Sequence, residues 1–260
     1  MSLTISEKQN DDLKIRNTAN NLDKPLTDNL PDPLPNYNGF CMVIAGASGS
    51  GKTTFLYSIM TKNKIKGIRQ SYKKVFDKIY VVSGTIGSDS MKNDPFRKLP
   101  AGQKYETLTE EALNEIDEKI QASRDDDENS IIIFDDVGSQ LRKKAGIEKK
   151  LVQMVQNRRH LYTSMIFLVQ RFRDVPTGIR NNMSHFITFK MKNRPETEAI
   201  MNELFNFDKK QTLEILSYVF DNDDKYSFLF VDMSLKLTNM FRFFKKFNEL
   251  QIEVKGETPL

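Results

Sequence analysis

The sequence predicts an α/β fold in three layers, a mostly parallel central sheet with helices on both faces. Three observations carry this. Short, unbroken apolar runs recur along the chain: FCMVIA from Phe40, IYVVS from Ile79, SIIIF from Ser130, SMIFLVQ from Ser164 and HFITFK from His185. An apolar run without alternation marks a strand buried on both faces, as in a parallel sheet. Segments with helical spacing separate the runs, so strands and helices alternate. At 260 residues, the chain is long enough to build a sizeable core.

Residues 1–38 are rich in Asn, Asp, Thr and Pro and end in PDPLPNYN. Prolines at this density exclude a helix interior or a central strand. An extended polar arm is expected, mobile or laid along a neighbour. The globular core is expected over 39–232. Its first strand, Phe40–Ala45, runs through a Gly/Ser turn into a helix from Thr53 to about Asn63. Ile79–Ser83 is the second strand, and 84–105 reads as a long loop. Thr109 followed by Glu110 and Glu111 fits an N-cap and acidic first turn for a helix reaching Arg124. The third strand ends in Asp135-Asp136. A helix from Ile147 to His160 leads to the fourth strand, Ser164–Gln170; the fifth is His185–Lys190. Helices near 195–205 and 208–219 precede a last strand, Tyr226–Asp232. Residues 233–260 form an aromatic and basic extension, read as core or subunit contact.

Several classes are excluded. No apolar run reaches the roughly 18 residues of a membrane-spanning helix. The N-terminal residues lack the apolar segment of a secretory signal, so secretion is not expected. One cysteine, Cys41, forbids an internal disulfide framework. Two histidines and one cysteine supply no zinc cluster.

Gly46-Ala47-Ser48-Gly49-Ser50-Gly51-Lys52-Thr53, followed by Thr54, fits G-x-x-x-x-G-K-[ST] without a gap. Glycines let a backbone wrap a polyphosphate and turn its N–H groups inward. The helix that follows adds its positive N-terminal end. Lys52 reaches the β- and γ-phosphates, and the Thr53 hydroxyl suits Mg²⁺. The flanking strand and helix supply the context that the motif needs. ATP and Mg²⁺ are therefore the expected ligands. Asp135, at a strand's C-terminal edge, is the candidate metal ligand, and Asp136 the residue that orients and deprotonates water. Gln170 ends the fourth strand. If that strand lies between the first and third, Gln170 faces the γ-phosphate or the lytic water, as in the additional-strand class of P-loop ATPases.

The net charge of +4 is uninformative as a total. Residues 138–195 hold thirteen basic and two acidic side chains, a surplus of +11 that leaves −7 elsewhere. Such asymmetry is the footprint of a polyanion partner. Arg142, Lys143, Lys144, Lys149 and Lys150 follow the metal-site strand and are candidate contacts to a DNA backbone, independent of sequence. Arg158 and Arg159, before the fourth strand, are candidates for an arginine delivered to a neighbouring subunit's γ-phosphate.

GASGSGKT (46–53), IIIFDDV (131–137), NRRH (157–160), LVQ (168–170) and GIRNN (178–182) together resemble the genome-packaging ATPases of poxviruses, giant viruses and virophages, in the FtsK–HerA branch of P-loop motors. The resemblance covers about residues 39–232. It implies a homo-oligomeric ring that pumps double-stranded DNA into a preformed capsid at a portal vertex. It implies Lys52 and Thr53 for nucleotide, Asp135 and Asp136 for metal and water, Arg158 or Arg159 as finger, and Gln170 as sensor. The expected location is the host-cell cytoplasm or a viral factory, with association to the virion. A cellular, plasmid or transposon DNA pump of the same superfamily, a nucleotide-binding structural protein with vestigial hydrolysis, and a small-molecule kinase are the alternatives.

Overall fold

A computed structural model describes residues 25–27, 30–61, 64–65, 68–69, 71–85, 94–141, 145–221, 224–234 and 241–253. β1 (Cys41–Ala45) leads into α1 (Lys52–Thr61), the small antiparallel pair β2 (Lys64–Ile65) and β3 (Ile68–Arg69), and then β4 (Lys78–Val82) and β5 (Lys104–Tyr105). α2 (Glu110–Asp125), β6 (Ser130–Asp135), α3 (Gly138–Leu141), α4 (Ala145–Asn157) and β7 (Thr163–Val169) follow. α5 (Thr177–Arg180), β8 (His185–Phe189), α6 (Arg194–Leu204), α7 (Lys209–Phe220), β9 (Phe228–Asp232), β10 (Arg242–Lys245) and β11 (Asn248–Glu249) complete the elements of the described residues.

Among the described residues, nine strands form one sheet in the order β11-β10-β9-β8-β1-β7-β6-β4-β5. From β8 to β5 every pairing is parallel, and β7 lies between β1 and β6. β9, β10 and β11 add on antiparallel. The expected mostly parallel α/β sheet is therefore present. Strand alternation divides the core into two layers. Val43, Phe134 and Phe167 face α2, α4, α6 and α7, whereas Met42, Ile133 and Ile166 face α1 and the segments around Phe40, Tyr72 and Phe96. α2 shows why such a helix forms and where it packs. Thr109 caps it by accepting from the Ala112 N–H, and Leu113, Ile116 and Ile120 are buried at helical spacing.

Three details differ from the sequence reading. The loop over 84–105 contains β5, which pairs with β4. Tyr226–Asp232 is not the last strand. Phe243 packs into one core layer and Phe244 into the other, so the aromatic run beyond 240 alternates as a sheet strand must. Residues 33–37, read as part of a polar arm, carry buried Leu34 and Tyr37. The Tyr72 hydroxyl donates to the Pro35 carbonyl (2.8 Å), and Arg242 clasps Asp32 through both terminal nitrogens (2.7 and 2.8 Å). The prolines exclude regular structure, but they do not exclude packing.

Candidate active site

All the parallel strands end on the same edge of the sheet, and the chemistry collects there. β1 hands the chain to the glycine loop, where the Gly46 N–H donates to the Val169 carbonyl (3.1 Å) and fastens the loop to β7. Gly49 (φ +75°) and Gly51 (φ +108°) are in the left-handed region that favours glycine. A Cβ on Gly49 would meet nothing within 4 Å, so this side of the loop is open. A Cβ on Gly46 would stand 2.6 Å from Ser50 Oγ. Lys52 arches back over the loop and donates to the carbonyls of Gly46 (2.6 Å) and Ala47 (3.1 Å). Burial lowers its pKa, against the pull of Asp135 and Asp136. Thr53 and the exposed Thr54 complete the first turn of α1.

Asp135, the last residue of β6, is buried. Its Oδ2 accepts from Ser83 Oγ (3.2 Å) and Thr85 Oγ1 (3.1 Å), just beyond the neighbouring β4. Burial raises its pKa; Thr85 and Ser83 pull it down, Asp136 adds to the rise and Lys52 opposes it. Asp136 has φ +54°, a left-handed conformation that Asp tolerates better than most residues. The turn leaves its carboxylate exposed, and Oδ1 accepts from Gln170 Nε2 (2.9 Å). Gln170 stands beyond the end of β7, between the ends of β1 and β6. A cleft of about 560 Å³ opens here, lined by Ala47, Asp136, Gln170, Arg171, Lys192 and Asn193 among others.

The structure thus brings together the loop 46–54, Asp135, Asp136 and Gln170. It does not bring Arg158 and Arg159 to them. Both precede β7, at the opposite end of the sheet. Arg158 donates from Nε to the Gly39 carbonyl (2.8 Å) and from Nη1 to the Val155 carbonyl (2.6 Å). The Arg159 Cα lies only 2.7 Å from where a Gly39 Cβ would be.

Arg142, Lys143 and Lys144 lie outside the described residues. Lys149 is exposed on α4, but Lys150 is paired with Asp117 of α2 (2.6 Å). Part of the +11 is neutralised in the same way by carboxylates outside the segment: Arg180 pairs with Glu203, Lys190 with Asp221 and Arg194 with Glu198. Arg171 pairs with Asp174 inside it. A charge surplus along the chain is not a bare basic face once the acidic helices fold against it. Sequence reasoning missed Ser83, Thr85 and Arg171. The first two were legible as hydroxyls at the end of an apolar strand, once that strand's place beside β6 was known.

Curated relatives include the DNA packaging protein OPG160 of Variola virus and of Vaccinia virus (strain Western Reserve). Each is 26% identical over 181 residues, covering 69% of this chain and 64% of the relative. Among solved structures, the DNA-packaging ATPase B204 of Sulfolobus Turreted Icosahedral Virus has TM-score 0.53 and 15% identity, covering 80% of this chain and 98% of its own. The B204 packaging NTPase of Sulfolobus turreted icosahedral virus 2, in complex with AMPPCP, has TM-score 0.51 and 14% identity over 80% and 97%. At these identities the likeness is one of fold. The Poxvirus A32 protein family matches residues 34–249, which is most of the chain, and the chain belongs to that family.

Proposed function

We propose that this chain is an ATP-hydrolysing motor subunit that moves double-stranded DNA, in the packaging of a viral genome into a preformed capsid. One observation carries the reading: a Lys-bearing phosphate loop beside an Asp-Asp strand end whose second carboxylate is held by a glutamine from the intervening strand. The relatives' description as DNA packaging proteins gives the biological setting.

The loop fits a polyphosphate. Its open face lies at Gly49, and Ser50 Oγ is buried with no partner among the described residues. The oxygen donors fit Mg²⁺, held by the Thr53 hydroxyl and Asp135. Among the described residues no cluster of three metal-binding side chains forms, so phosphate oxygens and water would complete the shell. When bound there, Mg²⁺ would supply charge neutralisation to the phosphates. Lys52 leaves the Gly46 and Ala47 carbonyls for the phosphates. Ser83 and Thr85 hold Asp135 in place. Asp136 takes the proton of the attacking water, and Gln170 fixes its carboxylate.

Arg158 and Arg159 lie too far round the sheet to serve their own site, which fits action on a neighbour in a ring. Arg158 donates to two carbonyls of its own chain, and Arg158 or Arg159 is the proposed finger. Lys149, with Arg142–Lys144 beside it in sequence, is the proposed contact to the DNA backbone. Among the described residues no helix is long and apolar enough to cross a membrane, and the proposed location is the viral factory of the host cytoplasm. Arg159→Ala is expected to bind ATP without turnover and to regain activity when mixed with Lys52→Ala chains. Absence of rescue in mixed assemblies overturns the assignment in trans.

A further inference from the structure

The residues above account for the phosphate end of a nucleotide and leave its base unassigned. The sheet order decides where the base must lie. Asp135, Asp136 and Gln170 stand at the ends of β6 and β7, so the terminal phosphate faces that side of the loop. The nucleoside end therefore leaves on the other side of β1, over β8 and β9. Tyr226 is there, on the turn that enters β9. Its Cδ1 lies 3.4 Å from where a Cβ on Gly51 would be, beside Phe189 Cε1 at 3.3 Å.

The ring is held in place with part of its surface open. Tyr226 is 50% exposed. Its backbone N–H donates to Asp224 Oδ1 (2.9 Å), and Asp224 is ion-paired with Lys246. The Lys246 N–H donates in turn to the Phe228 carbonyl (2.8 Å), which ties the turn to β9. The Lys225 ammonium rides over the ring at 4.8 Å from its centroid. Phe247, 47% exposed, continues the apolar surface along α1 by packing on Phe55 (6.0 Å between centroids) and Phe228 (5.5 Å). A fixed aromatic face beside a phosphate loop suits a flat π-system, and fixing it in advance removes the ordering cost at binding.

We propose that Tyr226 is the platform on which the nucleotide's purine ring stacks; the proposal rests on the phosphate-loop reading above. Stacking uses the ring face and not the hydroxyl, so phenylalanine preserves it.

The experiment measures calorimetric binding of ATP and of inorganic tripolyphosphate to the full chain carrying Asp136→Asn to suppress hydrolysis. Tyr226→Ala is expected to weaken ATP by about tenfold and to leave tripolyphosphate within about twofold, since tripolyphosphate has no base to stack. Tyr226→Phe is expected to bind ATP normally. Tyr218→Ala, which removes a 65% exposed ring on α7, is the control and leaves both ligands unchanged. Lys52→Ala is expected to lose both. Retention of both by Lys52→Ala overturns the phosphate-loop reading, and the platform with it. Loss of both by Lys52→Ala, with Tyr226→Ala altering neither ligand or both equally, overturns the platform alone.

Discussion

The Gln170–Asp136 hydrogen bond makes a quantitative claim. Its Nε2–Oδ1 distance is 2.9 Å. A bond from a neutral amide to a carboxylate contributes about 1.5–3 kcal/mol. Both side chains are exposed, and water replaces part of that when the amide is removed, leaving about 1–2 kcal/mol. If Gln170 acts by aiming the Asp136 carboxylate, that energy appears in the chemical step as a 5- to 30-fold loss, at about 1.4 kcal/mol per decade. Steady-state hydrolysis of Mg-ATP in the presence of duplex DNA reads it. Gln170→Ala is expected to lower kcat about tenfold and to leave KM unmoved. Asp136→Asn, which removes the base itself, is expected to cost about 10²–10⁴. The double variant is expected to be no slower than Asp136→Asn alone, because the two act as one unit. Multiplicative losses, or a Gln170→Ala variant altered only in KM, would refute the reasoning.

Other outcomes follow from the same geometry. Gly39→Ala places a Cβ 2.7 Å from backbone at Arg159, in a φ +73° conformation, and is expected to cost at least about 2 kcal/mol in urea unfolding. Arg242→Ala removes a 12% exposed guanidinium from Asp232 and is expected to cost about 3 kcal/mol. Burial pushes the Asp232 pKa up, but His185, Ser234 and Arg242 together hold it below the usual carboxylate value. Its stabilisation is therefore present above the unfolded pKa and lost as pH falls through the folded one. An acid titration of unfolding is expected to show that loss below about pH 4, and a flatter acid limb for Asp232→Asn. Asp135 has the opposite sign. Burial raises its pKa, so its charge costs stability at neutral pH, and Asp135→Asn is expected to melt higher without nucleotide while losing Mg-dependent turnover.

The parallel core was legible because buried strands leave unbroken apolar runs, and β1, β4, β6, β7 and β8 all fall on one. The phosphate loop was legible as a contiguous motif, and Asp135, Asp136 and Gln170 were legible as polar residues at strand ends. What the sequence hid depends on pairing between distant segments. Ser83 and Thr85 matter because β4 neighbours β6. The Pro-rich stretch packs because Arg242, over two hundred residues away, reaches Asp32. β10 was hidden by Arg and Lys at its ends, which make RFFK look like a basic tail rather than a strand with two buried positions. The charge surplus over 138–195 was real as a count. Its partners Asp117, Glu198, Glu203 and Asp221 come from outside the segment, and no local count includes them.

The central claim is that duplex DNA is moved by hydrolysis at this phosphate loop. Its most direct test is the Mg-ATP turnover of the full chain with and without duplex DNA of unrelated sequences, beside Lys52→Ala. The account predicts that every duplex raises turnover to a similar extent and that Lys52→Ala abolishes it. Turnover indifferent to DNA, or DNA-stimulated hydrolysis that survives Lys52→Ala, would contradict it.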